Sequence, residues 1–441
     1  MKTTTHNIDI ITDLETPDSE SINTPNLDLP TSDIELRSPN TIVHMDLDTF
    51  FVSCERLLEP KLNGKPVLVG GTSDRGVVSA CSYEARQFGV HSAMPMRMAR
   101  QLCPEAIVIR GNSAIYSKYS DMVTDIIKEE SPVYEKSSID EFYIDITGMD
   151  RFHGSYKWAT ELRQRIMQET HLPISFGMST SKTVSKVGTG EAKPNGQINV
   201  LRGLEKAFLA PLSIKKIPMV GDKTYQKFRS MGIEKIQTVQ EMPLELMERV
   251  FGKNGVIIWK KANGIDNSPV IPFHERKSIS SSLTFEKDTI DVRKLKEILT
   301  TMAEKLAFYL RNGDKLTSIV TVTVRYSDFD TRSRQMRIAY TANDHTLIAT
   351  VMRLFDQLYQ RRVMARLVGV RFSGLVGGGY QINLFEDSER TIKLYQAMDK
   401  VRNRFGQGAV KRAVTMDTKG VGQMSNPFNG QAPIIPAHRR S

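Results

Sequence analysis

Cysteine is scarce in this chain: Cys54, Cys81 and Cys103 are all it has in 441 residues, an odd number, far apart, with no Cys-x-x-Cys spacing. That argues against a disulfide framework and against a cysteine-built zinc site. Also missing is any apolar run near the roughly 18 residues that a membrane span requires. The opening Met1-Lys2-Thr3-Thr4-Thr5-His6-Asn7 has neither a secretory hydrophobic region nor the Arg-rich, acid-poor character of a transit peptide. A cytoplasmic protein with no membrane partner is expected. What remains is ordinary for globular protein, 40% hydrophobic and 25% charged, long enough for roughly two to four domains.

Charge is unevenly spread. The first forty residues hold eight acids against Lys2 and Arg37, so the net +10 becomes +16, 58 basic against 42 acidic residues, on the rest. Such a surplus points to a polyanion, nucleic acid before anionic lipid, because no amphipathic basic helix stands out. Residues 1–40, rich in Thr, Ser, Asn, Pro and Asp, have the composition of a disordered tail.

Regular structure is expected to begin at Thr41-Ile42-Val43-His44-Met45-Asp46-Leu47-Asp48, a strand whose alternation places Asp46 and Asp48 on one face. Strands are read at 66–69, 76–79, 134–136, 142–146 and 174–178, with helices to about Leu102, from Ile115 to Glu130 and from Tyr156 to Thr170. Gly203 to Asn267 reads as short helices without a convincing strand. Residues 268–277 read as an extended linker, and 278–376 as a βαββαβ unit with sixteen basic and ten acidic residues. Arg325, Arg332, Arg334 and Arg337 cluster on or between its middle strands. After Gly377-Gly378-Gly379, a helical stripe runs through Ile392, Tyr395, Met398, Val401 and Phe405.

The sharpest constellation is acidic. Asp46 stands in a hydrophobic strand, and Ser138-Ile139-Asp140-Glu141-Phe142 sets two adjacent carboxylates at the mouth of another. Unpaired burial would cost several kcal/mol each, so such acids must be solvated or neutralised, most economically by divalent cations. Three carboxylates around two cations are the apparatus of phosphoryl or nucleotidyl transfer, and oxygen-only ligands favour Mg2+. Asp-x-Asp alone equally suits a sugar-nucleotide glycosyltransferase, and strand-end acids are common.

Four separated motifs then agree in order and spacing. Val43-His44-Met45-Asp46-Leu47-Asp48-Thr49-Phe50-Phe51, Tyr83-Glu84-Ala85-Arg86-Gln87-Phe88-Gly89-Val90, Ser138-Ile139-Asp140-Glu141 and Lys193-Pro194-Asn195-Gly196 resemble the signatures of the Y-family translesion DNA polymerases, closest to the DNA polymerase IV branch. The resemblance spans about residues 41–385. It implies an α+β fold shaped as a right hand: a ferredoxin-like palm (41–56 and 113–202), small fingers (57–112), a helical thumb with helix-hairpin-helix (203–267), the linker 268–277, and a βαββαβ little-finger domain (278–376), with a clamp-binding motif and extension over 377–441. The implied reaction is template-directed addition of deoxynucleotides to a primer, with low fidelity and no proofreading. Its partners are primer-template DNA, deoxynucleoside triphosphates and a bacterial sliding clamp, and a monomer is expected. The alternatives are a polymerase V-like catalytic subunit needing accessory proteins and a non-catalytic clamp-binding DNA scaffold.

Carried over residue by residue, the resemblance makes Asp46, Asp140 and Glu141 the catalytic acids holding two Mg2+ ions, with the Leu47 main-chain carbonyl as a further ligand and Asp48 outside the first shell, against the alternation of the strand. Phe51 becomes the steric gate against ribonucleotides, with Phe50 beside it at the nucleotide; Tyr83, Arg86 and Lys193 become triphosphate contacts. Tyr83 and Arg86 fall on one side of a helix capped by Ser82, and Lys-Pro-Asn-Gly fits a type I turn. Gln381-Ile382-Asn383-Leu384-Phe385 resembles the clamp-binding pentapeptide, through Gln381, Ile382, Leu384 and Phe385. Two departures stand out. Ala80 occupies a position where the family often has Thr, and Met219 in Ile217-Pro218-Met219-Val220-Gly221 replaces the glycine of a phosphate-binding hairpin, shifting weight to Phe251-Gly252-Lys253.

Overall fold

A computed structural model describes residues 40–149, 154–273, 275–378 and 388–416. No helix among them is long and apolar enough to cross a membrane. The sheet that carries the acids has the order β5-β6-β1-β7-β8. Its strands are β1 (Ile42–Leu47), β5 (Val133–Lys136), β6 (Glu141–Asp145), β7 (Ile174–Ser179) and β8 (Gln197–Asn199). Central β1 runs antiparallel to both neighbours, with Asp46 directly opposite Glu141 and His44 opposite Tyr143.

Alternation along β1 decides what each face does. Val43, Met45 and Leu47 point into one core, packed with residues of α1 (Phe50–Leu58), α4 (Ser113–Glu130) and α5 (Ser155–Thr170). His44 and Asp46 point the other way, toward α6 (Lys182–Ala192). That helix lies at backbone distance from the sheet: a Cβ on Gly177 would fall 2.3 Å from the Ser185 carbonyl oxygen and 2.5 Å from the Thr189 nitrogen. Glycine there lets α6 bring Lys186 and Thr189 down onto β1 and β6.

Inserted between α1 and α4 is a small unit with sheet order β3-β2-β4: β2 (Val67–Gly70), β3 (Val78–Cys81) and β4 (Ile107–Ile109), with α2 (Tyr83–Gln87) and α3 (Met96–Leu102). After β8 come five short helices, α7 (Glu205–Leu209), α8 (Asp222–Ser230), α9 (Ile236–Glu241), α10 (Leu244–Phe251) and α11 (Lys253–Ala262), around Phe228, Ile258 and Met247.

The βαββαβ unit has β9 (Ser278–Thr289), α12 (Val292–Asn312), β10 (Lys315–Tyr326), β11 (Thr331–Thr341), α13 (Asp344–Leu358) and β12 (Ala365–Gly377), in the antiparallel order β11-β10-β12-β9. Helices cover one face. The registers Arg325↔Thr331, Thr323↔Ser333, Thr321↔Gln335 and Ile319↔Arg337 put Arg325 and Arg337 on the other, and Thr321↔Arg371↔Ser280 adds Arg371. The pleat therefore divides the arginine cluster read from sequence. Arg332 and Arg334 lie opposite the buried Val324 and Val322 and belong to the helix side of the edge strand.

The last helix, α14 (Ser388–Phe405), returns to this unit. Tyr395 is buried as its stripe suggests, but Val401 and Phe405 are exposed, and Asp399 and Arg402 take the inner face instead. The reason is an ion network. Arg311 on α12 donates to both oxygens of Asp399, at 2.6 and 3.0 Å, to Asp344 at 2.5 Å and to the Ala342 carbonyl at 2.9 Å. Breaking such a buried cluster from one side strands a charge. Arg311→Leu should therefore destabilise this unit by about 3 kcal/mol or more, read as a shift in its urea midpoint.

Candidate active site

Strand β1 ends at Leu47 because the chain turns at Thr49, whose φ is +42°, to start α1. Asp48 thereby leaves the face that alternation would give it. It is buried, accepts from Ser175 Oγ at 2.9 and 3.0 Å and from the Asn195 backbone N–H at 2.6 Å, and lies 3.7 Å from Lys193 Nζ. Its work is to fix the Lys193 turn. That turn is not type I, since Asn195 has φ +50° where a type I turn needs about −90°.

Asp46 keeps the inner face and is bonded by Lys193. Burial pushes its carboxyl up to about 7, against the Lys193 ammonium, with Glu141 and Asp140 adding repulsion. Asp140 is held by Ser138, whose hydroxyl donates at 2.5 Å, while its own carbonyl accepts from the Leu47 N–H at 3.0 Å. Burial raises its carboxyl too. Glu141 differs. Burial opposes its ionisation, but the Lys186 ammonium beside it favours the charged form and helps hold the carboxyl well below the usual range. Lys186 Nζ contacts Oε2 at 2.6 Å.

The acids thus meet at one end of β1 and β6, near enough to repel, with two lysines among them. Among the described residues no three acidic, histidine or cysteine side chains already form a metal cage. The donor chemistry nonetheless fits a hard cation. Three largely buried carboxylates, two pushed toward protonation by burial, carry more negative charge than Lys186 and Lys193 fully satisfy.

Around the acids, Phe51 stacks on Tyr116, ring centroids 4.4 Å apart and 17° between planes, and the Tyr116 hydroxyl donates to Glu55 at 2.5 Å. Tyr116 is a member of this site that sequence reasoning missed; it sits in α4 with nothing in its neighbours to mark it. The Phe50 ring is 3% exposed and belongs to the core. Ser82 caps α2 by accepting from the Ala85 N–H, as expected. Tyr83 then points inward with its hydroxyl buried and without a hydrogen-bond partner, its ring under the Arg86 guanidinium at 5.1 Å. Burial and the Asp48 charge push the phenol up. Ala80 sits half-buried in β3 against the core.

At the helical region, Met219 adopts φ +84°, the conformation a glycine would favour, with its side chain 57% exposed. The backbone shape needed before the N-terminus of α8 survives the substitution. Gly252 has φ +62° and ψ −151°, a pairing for glycine, and immediately precedes α11 as its N-cap. Met219→Gly should stabilise the protein by a net of about 0.5 kcal/mol, strain relief less the added unfolded-state entropy, and strengthen primer-template binding. A urea melt and fluorescence anisotropy check the two parts. Gln381 to Phe385 lie outside the described residues.

Residues 45–190 match the impB/mucB/samB family, residues 276–384 that family's C-terminal domain, and residues 215–266 the thumb domain of DNA polymerase-iota. The chain is 38% identical over 382 residues to a DNA polymerase IV of Dehalococcoides mccartyi, covering 86% of this chain and 98% of that relative. It is 36% identical over 340 residues to a DNA polymerase IV of Streptococcus pneumoniae, covering 76% of this chain and 96% of the relative. In three dimensions it resembles a chimeric Y-family DNA polymerase, with a TM-score of 0.66, 24% identity, and coverage of 77% of this chain and all of that one. It also resembles the insertion ternary complex of Dbh DNA polymerase, with a TM-score of 0.55 at the same identity and coverage.

Proposed function

The chain belongs to the Y-family DNA polymerases, translesion enzymes, and from that premise we propose that Asp46, Asp140 and Glu141 are the acids at which it joins deoxynucleotides to a primer 3′ end. The observation that carries this is the convergence of the three on one end of the β1–β6 pair, within mutual repulsion.

Magnesium is the ion their oxygens suit, two per site, with the Leu47 carbonyl as a further ligand. The chemistry the ions supply when bound is a lowered pKa at the primer 3′-hydroxyl and neutralisation of charge on the departing pyrophosphate. The protein's own residues do the rest. Lys193, aimed by Asp48 and the Asn195 turn, is freed from Asp46 to bind triphosphate oxygens. Tyr83 offers its partnerless hydroxyl and Arg86 its guanidinium to the same group. Phe51, braced by Tyr116, stands beside the sugar. The ring of Phe50 stays in the core.

Regions 41–56 with 113–202, 57–112, 203–267 and 278–376 act as palm, fingers, thumb and little finger, joined by 268–277. The hydroxyl- and arginine-bearing face of β9 to β12 suits the DNA backbone, and each phosphate it neutralises should add about 0.9 to the slope of log K against log salt. Gln381-Ile382-Asn383-Leu384-Phe385 docks on a sliding clamp; the enzyme is otherwise a cytoplasmic monomer. Deleting 381–385 should remove clamp-stimulated synthesis and leave unstimulated synthesis unchanged, measured on primed circular template with and without clamp.

The experiment that tests the whole is magnesium-dependent primer extension by the purified chain on intact and abasic templates. Extension on both supports the reading. Extension on neither, with DNA bound, contradicts it.

A further inference from the structure

His44 is a buried polar residue with no part in holding the triphosphate, the sugar or the cations as proposed. It precedes Asp46 by two positions on the same face of β1 and is 1% exposed. Its Nδ1 lies 2.8 Å from Thr189 Oγ1, and that hydroxyl lies 2.9 Å from two carbonyls, of His44 and Ser185. One hydroxyl proton cannot serve three acceptors. The arrangement that wastes least gives it to a carbonyl and puts the imidazole hydrogen on Nδ1, donating to Oγ1.

Nε2 is then a bare lone pair. It is buried, has no hydrogen-bond partner, and stands 3.9 Å from Glu141 Oε2, the oxygen that Lys186 Nζ contacts at 2.6 Å. The bare nitrogen and the ammonium thus both lie against the same carboxylate oxygen, and the ammonium has three hydrogens, of which it uses at least one on that carboxylate. The same helix, α6, supplies both Lys186 and Thr189, one turn apart, so the acceptor and the cation are aimed by one element.

We propose that His44 is a positioning residue that receives the Lys186 ammonium on Nε2 when Glu141 turns to a divalent cation, so that the lysine is held aside and does not compete with the ion for the carboxylate. This rests on the reading of Asp46, Asp140 and Glu141 as cation ligands. Without His44, Glu141 is the side chain among the described residues that Lys186 is seen to bind, and the cation must displace it there.

The test is terbium binding to the full chain without DNA or nucleotide, read by luminescence sensitised through tyrosine; the Tyr143 ring lies 4.6 Å from His44. Asp140→Asn is the control for the site itself. If it leaves terbium affinity unchanged, the reading of the acids fails and this inference falls with it. With that control satisfied, His44→Phe, which keeps a ring against Tyr143, should weaken terbium binding about tenfold. Lys186→Met should tighten it, and His44→Phe should then have no effect in the Lys186→Met background. An unchanged affinity in His44→Phe, or the same loss with and without Lys186, overturns the proposal while leaving the acids in place. Should His44→Phe fail to fold by circular dichroism, Thr189→Val, which releases the Nδ1 hydrogen bond, should weaken binding in the same lysine-dependent way, and no change would again overturn it. In primer extension the severalfold loss should fall on kcat, with nucleotide KM held.

Discussion

Glu141→Gln should abolish primer extension, by about 10³-fold or more, while primer-template affinity stays within about twofold of the parent. The size follows from what the carboxylate is asked to do. Losing one ligand charge at the transferring phosphoryl group forfeits several kcal/mol of transition-state stabilisation, and each 1.36 kcal/mol is roughly tenfold in rate. Under the proposed function, affinity for DNA would rest on phosphate contacts elsewhere, on the open face of β9 to β12 and at the starts of α8 and α11, so it should not follow. Single-turnover extension and fluorescence anisotropy separate the two. A fall in both to the same degree would indicate misfolding, and retained turnover would remove Glu141 from the reaction.

Phe51→Ala should admit ribonucleotides, cutting the preference for deoxynucleotides by about 10²-fold. Overpacking a rigid wall costs up to about 3 kcal/mol, and that is the order of discrimination a ring can impose on a hydroxyl of added volume. Rigidity is the condition, and the structure supplies it: Phe51 stacks on Tyr116, whose hydroxyl is tied to Glu55. A mobile ring would yield. The measurement is the ratio of kcat/KM for a deoxynucleotide and its ribonucleotide, and an unchanged ratio would place the gate elsewhere.

Much of this architecture was legible in the order of residues, and the exceptions share a cause. The strand carrying Asp46 and the paired Asp140-Glu141 stood out because acids in apolar strands are conspicuous. The βαββαβ order followed from alternation and amphipathic stripes and appears intact in the observed sheet. Helix α6 was not legible. Its sequence, Lys-Thr-Val-Ser-Lys-Val-Gly-Thr-Gly-Glu-Ala, offers β-branched residues and glycines, poor helix formers, because it packs at backbone distance on Gly177 rather than through long side chains.

Missing α6 hid Lys186 and Thr189, and with them any reason to look at His44. Tyr116 and Arg371 were missed differently: each is one ordinary residue whose significance lies in a partner far away in sequence, Phe51 for one and the face shared with Arg325 and Arg337 for the other. The Lys-Pro-Asn-Gly turn went wrong locally, its composition fitting a common turn while Asp48 and Arg163 hold Asn195 in another. Met219 shows the reverse case. A residue that ought to spoil a glycine site keeps the glycine's backbone angle, so the loop survives a substitution that sequence alone counts against it.

The central claim is that three carboxylates share divalent cations where primer and nucleotide meet. It is tested most directly by anomalous diffraction from crystals of the chain with primer-template, a non-hydrolysable deoxynucleotide and manganese. Two anomalous peaks about 3.5 to 4 Å apart are expected at the oxygens of Asp46, Asp140 and Glu141, with Lys193 turned to the triphosphate. Peaks away from these oxygens, or lysines still seated on the acids with nucleotide bound, would contradict it.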